Sequence, residues 1–354
     1  MTPWPFCIIG QETKRHDRNV IMLIKRLFIG WRWALPLLVL ALGFWLTLFC
    51  RSAVPIAPLE ALRALFPGAP ATLAQALVLN LRLPRSLVAM LLGASLALAG
   101  SLLQTLTRNP LASPSLLGIN AGASLAMVVV SALSPQLFSG FSIALAAALG
   151  GGISWGVVML LGGGWQQAGD RSRLVLAGVA VSALCAALAK ATLILSEDQA
   201  YSILNWLAGG VAHARWPEFW HLFPFTLIVA PLALLLASRL NVLQVSDESA
   251  HSLGVNLPRL RLLINLMVLL LVGACVSVAG PLAFIGLLIP HMARGWIGYD
   301  LRRMLPVSMI MGATLMLLAD LLARVLAWPG EIPAGAVLAL IGAPVFIWLV
   351  RSRT

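Results

Sequence analysis

Charge is scarce in this 354-residue chain: 10% of its residues are Asp, Glu, Lys or Arg, while 60% are hydrophobic. No soluble domain of this length can hide so much apolar surface, and the mean hydropathy of +0.95 says the same. Acidic residues are the poorest class, 12 against 24 Lys and Arg. Lysine is nearly absent: Lys14, Lys25 and Lys190 follow Thr13, Ile24 and Ala189. A phosphate-cradling loop needs Gly-Lys-[Ser/Thr], so the chain has none, and His-Glu-x-x-His is also missing. Cys7, Cys50, Cys185 and Cys275 lie far apart and indicate neither a disulfide framework nor a zinc site. The long Leu/Ala/Val/Gly runs do not alternate with polar residues, which argues against a β-barrel.

What is present is a series of ten apolar segments, at roughly 33–50, 83–105, 114–133, 140–162, 172–195, 218–238, 262–280, 282–297, 305–327 and 333–350. A bilayer accepts apolar helices of about 20 residues. With no water to bond the backbone, the spans must be helical. The expected fold class is therefore all-α, a polytopic membrane protein of about ten transmembrane helices. Residues 262–297 are too long for one span and short for two, and Gly280-Pro281 is the natural turn. The net charge of +12 is scattered singly between the runs. Nucleic-acid binding would gather it on one face, so no nucleic-acid partner is expected. With the N-terminus inside, 17 Lys and Arg fall on the cytoplasmic side and 6 outside, with Lys190 within a span. This asymmetry favours both termini in the cytoplasm.

Small residues recur at helix-contact spacing, as in Gly93, Ala97 and Gly100, and Gly118 with Gly122. In lipid such positions let helices approach closely, which predicts a compact bundle. An internal echo joins Leu83-Pro84-Arg85 with GASLALAG at 93–100 and Leu257-Pro258-Arg259 with GACVSVAG at 273–280. Inverted halves of this kind would place a pathway at their interface. In the loop 239–261, Ser246 can cap a helix whose first turn carries Asp247 and Glu248, and Gly254 can stop it. Ala250 and Leu253 would give this helix, at about 246–259, an apolar side. It reads either as a capped surface loop or as an element that inserts into a partner. Asp320 stands four residues before Arg324 and can pair with it on one helix face.

Residues 280–294, GPLAFIGLLIPHMAR, carry one Pro and one His in an apolar run closed by a charge. Together with LRLPR at 81–85, NPLASPSLLG at 109–118, RLVLAG at 173–178, WLAGG at 206–210 and EIPAGAVLALIGAPVFIWL at 331–349, the stretch resembles the permease subunits of ATP-driven importers for iron-siderophores and vitamin B12. The resemblance runs in order from about residue 30, and is strongest to the ferric citrate branch across LRLPRSLVAMLLGASLALAGSLLQTLTRNPLASPSLLGIN and SILNWLAGGVAHARW. It implies the type II ABC importer permease fold, at residues 31–354, behind a cytoplasmic tail at 1–30. It implies a bacterial inner-membrane subunit that binds no cofactor, and ATP used by a separate partner. The implied partners are a second, homologous permease, two ATP-binding subunits and a periplasmic substrate-binding protein.

Residue by residue, Arg82, Arg85 and Arg324 match outer-face arginines that meet acids on the binding protein; alternatively they are span-end arginines reaching the interface. Asn109 and Leu111 match a constriction at the cytoplasmic mouth, and Arg171 with Ser172 a second gate. For NPLASP the plainer reading is a proline-punctuated turn. The 246–259 helix, with Asp247, Glu248, Ala250, Leu253 and Gly254, matches the coupling element that meets the ATPase. Lys190 is the single base within a span, either a contact for an anionic cargo or a snorkelling residue near the outer end. His291 is read as a neutral histidine bonded to a carbonyl freed by Pro290. Alternatives to ferric citrate are another ferric siderophore or cobalamin. From other classes, an ion-coupled secondary transporter would need coupling carboxylates, for which Asp320 is the one weak candidate, and an intramembrane enzyme would need a catalytic constellation that is not apparent.

Residues 1–21 depart from the family pattern, and Met22 opens MLIKRLFIGWRW, a basic start to the first span. Either translation begins at Met22 or residues 1–21 form a disordered tail. They do not read as a cleavable signal, because the apolar part is short and no small-residue cleavage site follows. Mass spectrometry of the purified N-terminus separates the two; an intact Met1 that is essential for expression overturns a start at Met22.

Overall fold

The computed structural model describes residues 30–51, 55–66, 72–133, 140–163, 171–195, 204, 206–245, 252–328 and 330–351. The described elements are helical: α1 (Gly30–Phe49), α2 (Pro58–Arg63), α3 (Leu73–Thr107), α4 (Ile119–Leu133), α5 (Gly140–Leu161) and α6 (Arg171–Leu195) come first. There follow α7 (Trp216–Val245), α8 (Leu257–Ala279), α9 (Ile285–Ile297), α10 (Leu301–Leu326) and α11 (Ala334–Arg351). Setting aside the six-residue α2, ten helices correspond to the ten apolar segments. Seven of them are long and apolar enough to cross a membrane unaided.

Burial sets their order. The apolar stretch of α3 is 83% buried and that of α1 22%, so α3 is the axis of the bundle and α1 its edge. Helices α7, α8, α9 and α10 all pack on α3, while α4, α5 and α6 pack on one another and join through α8. Lipid tails are as apolar as leucine, so close packing and interhelical hydrogen bonds hold such a bundle. Both are visible. Glycines meet backbone to backbone: a Cβ on Gly93 would overlap the carbonyl of Gly312, and one on Gly122 the carbonyl of Gly150. Hydroxyl pairs stitch α3 to its neighbours, with Thr47 to Ser86 at 2.8 Å, Ser95 to Thr226 at 2.7 Å and Ser101 to Ser308 at 3.0 Å.

Several boundaries differ from expectation, each for a local reason. Helix α3 begins ten residues before Leu83, with Thr72 and Gln75 forming a reciprocal cap. Pro84 is tolerated inside it because the preceding turn, Val78–Arg82, is a wider π-turn, in which Leu83 N–H bonds to Val78. Helix α4 starts at Ile119 instead of 114, because Ile119 and Asn120 donate their N–H groups to Pro114 O, and Gly118 has φ +80°. Of the stretch expected as a helix at about 246–259, Asp247, Glu248 and Ala250 lie outside the described residues. Leu253 to Asn256 are non-helical, and Leu257 already belongs to α8, which Asn256 caps by accepting from Arg259 N–H.

The turn expected at Gly280-Pro281 is present, as a non-helical segment from Gly280 to Phe284 between α8 and α9. Gly280 has φ +70° and Phe284 φ +68°. The segment is largely buried, so its backbone groups need protein partners. Ala279 O accepts from Gly210 N–H at 2.8 Å, and Gly209 O accepts from Gly335 N–H at 3.0 Å. The non-helical piece at Gly209 and Gly210 thus ties the end of α8 to the first turn of α11. Gly93→Val is expected to lower the thermal unfolding temperature in detergent, a cost of at least ~1–3 kcal/mol, because the obstructing atoms are backbone. Gly30→Val, with nothing within 4 Å of the added carbon, serves as the silent control.

Candidate translocation site and its supports

Two arrangements stand out in this bundle, an ion-pair network and a mostly apolar cleft that holds a few polar groups. The network joins α1, α3, α10 and the approach to α11. Arg85 donates Nη2 to Asp320 Oδ1 at 2.7 Å and Nε to the same carboxylate at 3.1 Å, and its Nη1 lies 3.0 Å from Glu331. Arg324 Nη2 sits 2.9 Å from Asp320 Oδ2, which places the expected i, i+4 pair in contact. Its Nη1 donates to Thr47 O at 3.2 Å. Arg82 donates to Cys50 O at 2.8 Å, Arg51 O at 2.9 Å and Thr47 O at 3.3 Å. Arginines thus hold the last carbonyls of α1, where a helix leaves acceptors unpaired and its dipole favours cations.

The three arginines predicted on the outer face therefore gather at one end of the bundle, but Arg85 and Arg324 are buried and Arg82 lies half-buried on the end of α1. Arg85 is 9% exposed, Arg324 3% and Asp320 2%. The reason is energetic. Cations in apolar surroundings require an anion, and Asp320 supplies one for two of them. Glu331 is a participant the sequence reading missed; its signal was an isolated acid beside a proline at a span boundary. At the same end, Arg51 lies over the Trp328 ring, 5.9 Å from its centre.

The opposite end is tied differently. Arg108, left-handed at φ 48°, ends α3 and donates Nε to Leu243 O at 2.8 Å. Asn109 Oδ1 accepts from Leu111 N–H at 2.9 Å, closing an Asx-type turn, and both residues are half-buried. Arg171 and Ser172 open α6. Asp300 caps α10 and accepts from Asn241 Nδ2 at 2.7 Å. That amide, and then the Arg302 N–H, hold the Asp300 carboxyl below its ordinary range. Gln104 bonds Arg294. Leu253 is exposed, and Gly254 has φ +73° in the turn before α8.

The second arrangement is a cleft of about 290 Å³ between α4, α6 and the unwound segment after α8. Lys190, Asn120, Ser124, Ser115, Leu207 and Leu282 are among its lining residues. Lys190 is exposed. Asn120 donates Nδ2 to Leu282 O at 2.9 Å, satisfying one carbonyl of the broken segment. Asn120 and Ser124 escaped the sequence reading, although an asparagine within an apolar span was a usable signal. His291 lies on α9, half-buried. Among the described residues no group of three His, Cys, Asp or Glu could hold a metal ion.

Removing the shared anion tests the network. Asp320→Ala leaves Arg85 and Arg324 without their carboxylate and is expected to destabilise the protein by about 3–5 kcal/mol. Glu331→Gln, at a half-exposed position, is expected to cost under ~1 kcal/mol. Thermal unfolding in detergent micelles compares the two.

Comparison with known proteins places this architecture. The chain is 64% identical over 321 residues to the Fe(3+) dicitrate transport system permease protein FecC of Escherichia coli strain K12, covering 91% of this chain and 97% of that protein. It is 38% identical over 277 residues to FecD, the other Fe(3+) dicitrate transport system permease protein of that organism, covering 78% and 86%. A solved structure, an inward-facing conformation of a metal-chelate type ABC transporter, matches with TM-score 0.75 at 31% identity, over 92% of this chain and 99% of that chain. The sequence profile of the FecCD transport family matches residues 38–352. With that match spanning all of the bundle but its first residues, the chain belongs to the FecCD transport family of multi-pass membrane permeases.

Proposed function

We propose that this protein is a permease subunit of an ATP-driven importer that carries ferric citrate across the bacterial inner membrane. The observation that carries the cargo assignment is the 64% identity, over nearly the full length, with a permease named for Fe(3+) dicitrate. The bundle supports the mechanism. It has unwound backbone at the wall of a cleft, as transporters have at cargo sites. The chain has no phosphate-binding loop, so ATP hydrolysis belongs to a partner and this subunit is not itself an enzyme.

The second permease of the pair is a homologous but different chain, on the precedent of two distinct dicitrate permeases, both related to this one. Two ATP-binding subunits and a periplasmic binding protein complete the assembly. Both termini face the cytoplasm, which the 17-to-6 split of basic residues favours. The binding protein docks at the end where Arg82, Arg85 and Arg324 gather. There the buried arginines hold the shape of the face, and exposed Arg51 and Arg63 with Glu331 present its charge. The loop before α8, with Asp247, Glu248, Ala250, Leu253 and Gly254, receives motion from the ATPase. Asn109 and Leu111, together with Arg171 and Ser172, gate the cytoplasmic mouth, where an apolar side chain can hold back water until the path opens.

Uptake of radioactive iron presented as ferric citrate, in cells lacking the gene and complemented with it, tests this reading. Complementation is expected to restore ferric citrate uptake selectively over ferrichrome and cobalamin, and only with a working partner ATPase. Restoration of another chelate alone overturns the citrate assignment. Uptake that survives loss of the ATPase but is abolished by an uncoupler points to an ion-coupled transporter.

A further inference from the structure

We infer that Lys190, Ser124 and Asn120 form a recognition station inside the pathway for the carboxylate groups of an anionic metal chelate; this rests on the ferric citrate reading above. Three observations meet at one place. The first is Lys190 itself, exposed on α6 in an otherwise apolar stretch, with no acidic partner among the described residues. A cation facing lipid is costly, and intramembrane charges ordinarily face a polar cavity or a partner. The second is the cleft that Lys190 lines, about 290 Å³ and open on one side. The third is a pair of polar groups in the same wall. Asn120 is 5% and Ser124 6% exposed, and neither Asn120 Oδ1 nor Ser124 Oγ has a hydrogen-bond partner.

Buried polar atoms without partners are uncommon, and each calls for a ligand or a water. The chemistry of these three is complementary to one class of cargo. The lysine ammonium and the Ser124 hydroxyl donate, and carboxylate oxygens accept. The Asn120 carboxamide is fixed through Nδ2 on Leu282 O, which leaves Oδ1 as an acceptor for a hydroxyl or a metal-bound water of the same complex. Because Leu282 belongs to the non-helical segment between α8 and α9, a rearrangement of that segment would move Asn120 with it. Binding at the station is thereby linked to a part of the bundle that helical bonds do not hold.

The rival reading has Lys190 snorkelling, since it lies five residues before the end of α6. Transport by the complete importer in liposomes, with iron loaded as ferric citrate on a saturating binding protein, separates the two. Lys190→Gln is expected to lower the transport rate about tenfold, the effect of losing one charge-assisted hydrogen bond. Lys190→Arg keeps the charge and is expected to retain roughly half the rate or more. Ser124→Ala is expected to slow transport severalfold, the effect of one neutral hydrogen bond. Lys190→Gln and Ser124→Ala both transporting at the wild-type rate overturns the inference. So does an equal fall for Lys190→Gln and Lys190→Arg that tracks poor recovery of the assembled complex. If the wild type itself moves no ferric citrate, the cargo assignment fails, and the station fails with it.

Discussion

Inside a bilayer every backbone N–H and C=O must find its partner within the protein. Helices satisfy this by themselves, so most of the bundle is unbroken helix. The informative places are those where helix stops while the chain is still buried. Near Gly280 the non-helical piece at Gly209 and Gly210 bonds the last residue of α8 and the first turn of α11, through Gly210 to Ala279 and Gly335 to Gly209, and Asn120 serves Leu282. The close crossing requires glycine. A Cβ at Gly280 would strike the carbonyl of Trp206, and one at Gly335 would come within 2.6 Å of Ala208 O. The cleft lies against this crossing because unwound backbone makes room that a continuous helix does not.

The ion-pair network answers the same constraint with side chains. Asp320 meets two arginines, and Glu331 completes the coordination of one. A buried pair of this kind is weak evidence for net stability, because desolvation offsets much of the attraction. Its value here is positional. Five charged side chains join the end of α1, the early turns of α3, the last turns of α10 and the approach to α11. The edge helix α1, poorly buried along its length, is held where its terminal carbonyls need donors. The face proposed to meet the binding protein is thus rigid before any partner arrives.

Much of the architecture was legible in advance. The ten apolar runs correspond to ten helices, the break at Gly280-Pro281 is present, and Asp320 pairs with Arg324. The small residues Gly93, Gly100 and Gly122 are where neighbouring backbones approach. Errors fell at boundaries decided by local hydrogen bonding. Pro84 resembles a helix start but sits inside α3, because a π-turn precedes it. Pro114 resembles part of a span but forms the turn that delays α4 to Ile119. For the site residues the picture is mixed. Arg82, Arg85 and Arg324 converge as grouped, yet face carbonyls and carboxylates of their own chain. Asn109 and Leu111 share a tight turn that the Asn-Pro-Leu order allows.

The amino-acid sequence alone determined that the chain is helical and membrane-embedded, and, through its ordered motifs, to which family it belongs. These follow from composition, the spacing of polar breaks and residue order, all local properties. Only the tertiary structure decided which polar residues meet. Arg85 and Asp320 are 235 positions apart, and Asn120 and Leu282 are 162 apart. No periodicity links such pairs, because helix-on-helix packing sets them, and packing depends on side-chain shape across the whole bundle. The same holds for Lys190, which read alone is one charge in an apolar run. Its neighbourhood, with Asn120 Oδ1 and Ser124 Oγ left without partners, exists only once α4, α6 and the unwound turn after α8 stand side by side.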